Sequence, residues 1–352
     1  MWVIILFKRF LYFLTVFILL FPVKVNALNA ENISAECCVV IDYVTNRVLF
    51  EKNSDLRHSM ASTTKIMTCL LACESKRLDD VVTVSGEMLK NADGTSLYLK
   101  AGDKLLLRDL VKGAMLESGN DAANAIAFFL DGSVDAFCNR MNKKAKIIGM
   151  DNTNFETPSG LDSDKHYSTA YDMALLASYA FKNKALADIV SRKTDTISVN
   201  GISKTLYNHN KLLLKSKHFV GLKTGYTEKS GRCLVSGYNY SASKIIIVTL
   251  NAPDDWNDHL KLVKAAKMKY NSSRNTVFVD VNAVGASNEK LKCSFFYNVK
   301  HVGKLDYRLY YYPFIYAPVK AGDVIGKAEL YIDNNYVKTV YITADEDLNY
   351  GG

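Results

Sequence analysis

Hydrophobic and polar positions alternate along this chain in several distinct regimes. An apolar run over residues 10–21 follows Lys8 and Arg9 and leads to the small residues Ala27 and Ala30, the layout of an export signal. Val25-Asn26-Ala27 offers the cleavage site, which makes residues 1–27 a signal peptide. Lys8 interrupts the stretch that would supply the about 20 apolar residues of a membrane span, so retention as an uncleaved anchor is the lesser reading. Residues 37–42 and 47–50 then read as two strands with Thr45-Asn46 at the turn. From Ser62 the period changes: Ile66, Met67, Leu70, Leu71 and Cys73 recur at helical spacing towards Lys76, with Ser62 at the helix start.

Helical patterns continue over residues 107–116, 122–130, 134–148 and 170–181, separated by segments rich in Gly, Ser, Asp and Asn. Strands return over 232–238 and 244–251, and 258–269 reads as a helix. Strands, then helices, then strands predict an α+β domain over residues 28–272, a sheet built from both chain ends and flanked by a helical cluster. Beyond it, residues 276–281, 291–299, 305–312 and 337–342 are short, β-branched or aromatic, and predict a small all-β domain over 273–352. Tyr310, Tyr311 and Tyr312 are expected to pack within that domain rather than to stack on sugars.

Composition narrows the picture. At 352 residues, 49% hydrophobic and 23% charged, the chain can bury a large core, and disorder is excluded. Of the formal charge of +8, three units sit on Lys8, Arg9 and Lys24, and the other basic residues are scattered, which argues against a nucleic-acid partner. Seven cysteines form an odd set without regular spacing, a poor disulfide framework. The six histidines show no ligand spacing, and no zinc site is expected.

Three short motifs carry candidate chemistry. In Ser62-Thr63-Thr64-Lys65, a serine and a lysine three apart on a helix project from one face. Serine is a weak nucleophile until a base takes its proton, and Lys65 serves as that base if burial and a second cation lower its pKa. In Ser118-Gly119-Asn120, between two helices, the hydroxyl can relay a proton and the amide can hold a peptide group. Lys223-Thr224-Gly225, just ahead of the 232–238 strand, offers a cation and a hydroxyl for a carboxylate, and a glycine that admits an extended substrate. Each motif alone is compatible with a purely structural role. Together, in this order and behind an export signal, they form the set found in penicillin-binding proteins and β-lactamases.

Over residues 35–270 the sequence also resembles the low-molecular-mass penicillin-binding D-alanyl-D-alanine carboxypeptidases. The likeness rests on the motifs above with their flanks, on Asn142-Lys143-Lys144-Ala145, and on Thr157-Pro158-Ser159-Gly160-Leu161. It implies a β-lactamase/penicillin-binding transpeptidase-like domain. Ser62 would be the acylated nucleophile, Lys65 its base, Ser118 and Asn120 the second catalytic element, and Lys223 and Thr224 the anchors of a terminal carboxylate. It further implies an oxyanion hole of the Ser62 and Tyr226 N–H groups, and it needs no metal or organic cofactor. The implied partners are peptidoglycan stem peptides and β-lactam antibiotics, with a membrane surface as a further partner.

The chain departs from the family pattern twice. Residues 251–259 lack the arginine that often helps to bind the carboxylate, which leaves Arg232 or His259 as helpers, and no amphipathic helix precedes Gly352. Three rival functions share this machinery: a β-lactamase, for which Glu156 is the candidate second base, a D,D-endopeptidase, and a non-catalytic wall-binding or antibiotic-sensing protein.

Overall fold

The computed structural model describes residues 30–351, and the expected signal peptide over 1–27 lies outside the described residues. A hairpin of β1 (Cys37–Asp42) and β2 (Val48–Lys52) opens the chain. Helices Lys65–Glu74, Leu107–Leu116, Asn120–Asp131, Val134–Ile148, Ala170–Lys182 and Lys184–Ser191 follow. Two small hairpins lie among them, β3 (Val81–Thr83) with β4 (Lys104–Leu106), and β5 (Thr194–Val199) with β6 (Ile202–Tyr207). The chain then returns to the first sheet as β7 (Phe219–Thr227), β8 (Gly231–Tyr240) and β9 (Ser243–Leu250), before helix Asp255–Lys267.

This sheet is antiparallel in the order β2-β1-β9-β8-β7, so the N-terminal hairpin completes a sheet begun by the later strands. Every residue of β1 is buried, because the sheet is covered on both faces, and strands so covered read as unbroken apolar runs. Cys37, Val39 and Ile41 join Ile246 and Val248 against the helical cluster. Cys38 and Val40 join Ile245 and Ile247 against Leu262, Val263 and Ala266 of the last helix.

The helix expected from Ser62 begins instead as a tight 3-10 turn, Ala61–Thr64, and becomes α-helical at Lys65. The reason is local: Ala61 stands at φ 46°, while the Thr63 and Thr64 hydroxyls donate back to the Met60 and Ala61 carbonyls at 2.6 and 2.8 Å. Such back-bonds compete with the regular helical ladder. From Lys65 to Ala72 every residue is buried, so this helix runs through the interior of the cluster.

The remaining strands are β10 (Asn271–Val284), β11 (Lys290–His301), β12 (Leu305–Tyr311), β13 (Phe314–Tyr316), β14 (Val324–Ile332) and β15 (Asn335–Ala344). They form a six-stranded sheet, order β12-β14-β15-β11-β10-β13, around a core including Leu291, Phe295, Leu330 and Ile342. Tyr310, Tyr311 and Tyr312 do not pack inside it. β12 is an edge strand, and all three rings are exposed, Tyr312 at 78%. The Lys327 ammonium lies 5.0 Å from the Tyr310 ring centroid.

The Asp42 carboxylate stitches the two sheets together. One oxygen accepts from the N–H groups of Val44 and Thr45, and the other accepts the hydroxyls of Ser243 and Tyr270 at 2.6 and 2.7 Å. All seven cysteines are free.

Candidate active site

The Ser62 turn lies between the helical cluster and β7. Gly225 permits this approach, because a Cβ there would stand 3.0 Å from both the Ser62 nitrogen and the Ala61 Cβ. Lys65 donates to Ser62 Oγ at 2.8 Å, to Asn120 Oδ1 at 2.6 Å and to the Ser159 carbonyl at 2.7 Å. Its side chain is wholly buried; burial first, and the charge of Lys223 second, hold its pKa well below the ordinary lysine value. Three donated bonds belong to the ammonium; the neutral amine keeps two N–H groups for Asn120 Oδ1 and the Ser159 carbonyl and turns its lone pair to the Ser62 hydroxyl, a base poised to accept that proton.

Ser118 occupies the break between helices Leu107–Leu116 and Asn120–Asp131, in a left-handed conformation at φ 64°. Its hydroxyl makes no hydrogen bond among the described residues and faces the same cavity as Ser62. Both ends of the Asn120 amide are occupied by the protein, since Nδ2 donates to the Asp93 carbonyl while Oδ1 takes Lys65. Each end keeps one further donor or acceptor position, while these two bonds fix the amide beside Lys65.

The Lys223-Thr224-Gly225 motif lies just ahead of β8, as expected, and itself belongs to a nine-residue strand, β7. Lys223 is 1% exposed, donates to the Thr224 carbonyl at 3.0 Å, and is lowered by burial to a pKa of about 7. Thr224, Gly225 and Tyr226 form a wall of the cavity, which holds about 360 Å³, whereas Lys223 does not line it.

His209, Lys211, Arg232 and Trp256 also line the cavity. Arg232 stands on β8 opposite Tyr226. Its Nη2 donates to both Asp255 carboxylate oxygens, at 2.8 and 2.9 Å, and the guanidinium lies 5.6 Å from the Trp256 ring centroid. His259, the other helper, is fully buried between Ser236 and Thr249, and burial lowers it to a pKa of about 3. It does not line the cavity, and neither does Glu156, which accepts the Ser163 hydroxyl. Sequence reasoning missed the Ser159 carbonyl, a backbone group without a side-chain signal, and His209, a single histidine in a polar segment.

The fold and this geometry define a class: an α+β penicillin-binding domain carrying a serine with a buried lysine, followed by a β domain. Over residues 24–254 the chain matches the peptidase S11 family, described as D-alanyl-D-alanine carboxypeptidase, and over 285–350 the penicillin-binding protein 5 C-terminal domain. It belongs to the D-alanyl-D-alanine carboxypeptidase family.

The D-alanyl-D-alanine carboxypeptidase DacF of Bacillus subtilis (strain 168) is 36% identical over 62% of this chain and 57% of its own length. DacC of Escherichia coli (strain K12) is 35% identical over 68% of this chain and 62% of its own length. The chain thus spans about three fifths of these curated relatives. The crystal structure of the D-alanyl-D-alanine carboxypeptidase DacD from Francisella tularensis superposes with a TM-score of 0.64 at 26% identity, covering 94% of this chain and 97% of that one. The Streptomyces K15 DD-transpeptidase, as its S216A mutant, gives a TM-score of 0.64 at 30% identity over 66% of this chain and 98% of its own.

Proposed function

We propose that this protein is a D-alanyl-D-alanine carboxypeptidase that removes the terminal D-alanine from peptidoglycan pentapeptides through a Ser62 acyl-enzyme, and that penicillins acylate the same serine. The observation that carries the reading is the 2.8 Å contact between Ser62 Oγ and a wholly buried Lys65. Neutral Lys65 takes the Ser62 proton as Oγ attacks the carbonyl between the two D-alanines. The N–H groups of Ser62 and Tyr226 receive the oxyanion, a contribution of about 3 kcal/mol per donor. The proton returns through Ser118 to the departing amine, D-alanine leaves, and water then opens the ester.

Thr224 and Arg232 are the groups we assign to the substrate's terminal carboxylate. Both line the cavity, and the Asp255 carboxylate holds the guanidinium in place. The export signal puts the enzyme in the cell envelope, either released or held by an uncleaved segment, and among the described residues no helix is long and apolar enough to cross a membrane. The domain boundaries we assign are 28–272 and 273–352.

The test is release of D-alanine from diacetyl-Lys-D-Ala-D-Ala together with covalent labelling by fluorescent penicillin. Wild type does both, and Ser62→Ala does neither while staying folded. Equal labelling of folded Ser62→Ala rejects the assignment, and sustained rapid turnover of nitrocefin favours a β-lactamase instead.

A further inference from the structure

Behind the Ser62 turn, outside the cavity lining, His166 is 2% exposed. Its two ring nitrogens have opposite tasks. Nδ1 faces the backbone N–H groups of Glu156 and Thr157 at 3.0 and 3.3 Å; both are donors, so Nδ1 is unprotonated and accepts. Nε2 lies 2.8 Å from Thr64 Oγ1, whose own proton is committed to the Ala61 carbonyl, so Nε2 carries the hydrogen and donates. The partners therefore select one neutral tautomer. Burial, opposed by the charges of Glu156 and Asp162 and reinforced by Lys65, lowers the ring to a pKa of about 4.

These bonds join two pieces of the site. On one side, the segment over residues 156–161 supplies the Ser159 carbonyl to Lys65 and the Pro158 carbonyl to Thr68 Oγ1 at 2.6 Å. On the other, Thr64 back-bonds to Ala61, whose left-handed φ of 46° directly precedes Ser62. A non-glycine residue held in that region costs about 1–3 kcal/mol and persists only where its surroundings enforce it. The two pieces also touch directly, for a Cβ at Gly160 would overlap the Ala61 carbonyl.

We propose that His166 is a positioning residue: its one tautomer ties the 156–161 segment to the Ser62 turn, fixing the Ser159 carbonyl on Lys65 and the Ser62–Lys65 spacing together. This rests on the reading that Lys65 activates Ser62. Because His166 lies outside the cavity lining, its removal acts on the rate of acylation and not on substrate affinity.

The test compares the purified full chain as wild type, His166→Ala and His166→Asn, with active sites counted by covalent penicillin and acylation rates measured across pH. Per counted site, His166→Ala acylates on the order of ten- to a hundred-fold more slowly, the range set by leaving buried partners unsatisfied. Its KM for diacetyl-Lys-D-Ala-D-Ala stays within about twofold, since uniform binding is untouched. The acid limb of its pH–rate profile moves to higher pH, because the loosened segment admits water to Lys65. His166→Asn keeps an acceptor near the Nδ1 position and recovers part of the rate; if the alanine variant does not fold, the asparagine variant carries the same readouts, with a smaller loss and shift.

Wild-type rate and profile in a folded variant overturn the proposal. So does a slower rate with an unmoved acid limb and no rescue by asparagine, the result of a merely structural role. Should wild type itself fail to label on Ser62, the underlying reading fails; labelled wild type with unaffected variants removes only the positioning role.

Discussion

Two lysines without a carboxylate partner among the described residues, Lys65 and Lys223, dominate the chemistry of the site. Acylation should rise with pH through an apparent pKa well below the ~10.4 of free lysine; a flat rate from neutrality to that value would exclude a lysine base. The same burial has a thermodynamic sign. Lys223 titrates near 7 when folded against 10.5 ordinarily, so between those values the unfolded chain binds more protons, and stability rises with pH. Above about 9 the sign reverses for the thiols, because burial raises buried cysteines such as Cys38 and Cys233 to about 12. The melting temperature of wild type should therefore climb from pH 7 to 9, and that of Lys223→Met should climb less. A further residue-scale test concerns Arg232. If it reads the terminal carboxylate, Arg232→Leu should lose kcat/KM for the free-acid peptide far more than for its C-terminal amide, by the ~1.5–3 kcal/mol of a charged hydrogen bond. Equal reaction of acid and amide in wild type would turn the assignment towards an endopeptidase. The spacing of Ser62 and Lys65 put them on one face, but only the three motifs together marked them as chemistry. The burial of Lys223 was not legible, since a lysine in a Gly- and Thr-containing segment reads as surface. Arg232 and His259 stood as alternative helpers in the sequence, and the choice between them needed the strand register, which sets Arg232 across from Tyr226, and the burial of His259.

Elements explain why the motifs work only in this packing. β7 is one of the two edge strands of its sheet, and its Gly225 lies against the Ser62 turn. A side chain there must displace the Ala61–Ser62 backbone, so Gly225→Val should cut the acylation rate by at least about tenfold through misplacement of the nucleophile, read by stopped-flow penicillin binding on protein of unchanged circular dichroism. Wild-type acylation by that variant would mean the strand has slack the distances deny. The hairpin of β5 and β6 went unread because it is mostly exposed, with Leu206 and Ile197 as its buried residues, and a polar ribbon carries no clean two-residue alternation. β7 was hidden for another reason: Gly221, Lys223 and Gly225 break its apolar pattern, each for a packing or chemical purpose. The β1–β2 hairpin and the long helices, whose periodicity answers to a continuous core, were plain.

Across the whole molecule, the Asp42 carboxylate holds the turn after β1, the β8–β9 connection and the entry to β10. Tyr270→Phe removes one of its donors and should lower unfolding stability by about 1–3 kcal/mol, seen in denaturant melts, with kcat/KM unchanged because Tyr270 does not line the cavity. A matching loss of activity would mean that the second sheet steers the first. The division into a mixed domain and an all-β domain could be read from the change of period near residue 270; the exposure of the β12 tyrosines could not, because edge position is a property of topology. That topology also governs the order of events during synthesis. β1 pairs with β9 from Cys37 with Leu250 to Asp42 with Ile245, so in a chain emerging from its N-terminus the β1–β2 hairpin keeps the other edge of β1 unmatched until residue 250 is available, and contacts so distant in sequence form slowly. A nascent chain displays Ser62 long before Lys223, Gly225 and Arg232 exist. Until β7 and β8 join the sheet, that serine lacks the wall that Thr224, Gly225 and Tyr226 supply, so the cavity exists only once the two ends of the domain have met.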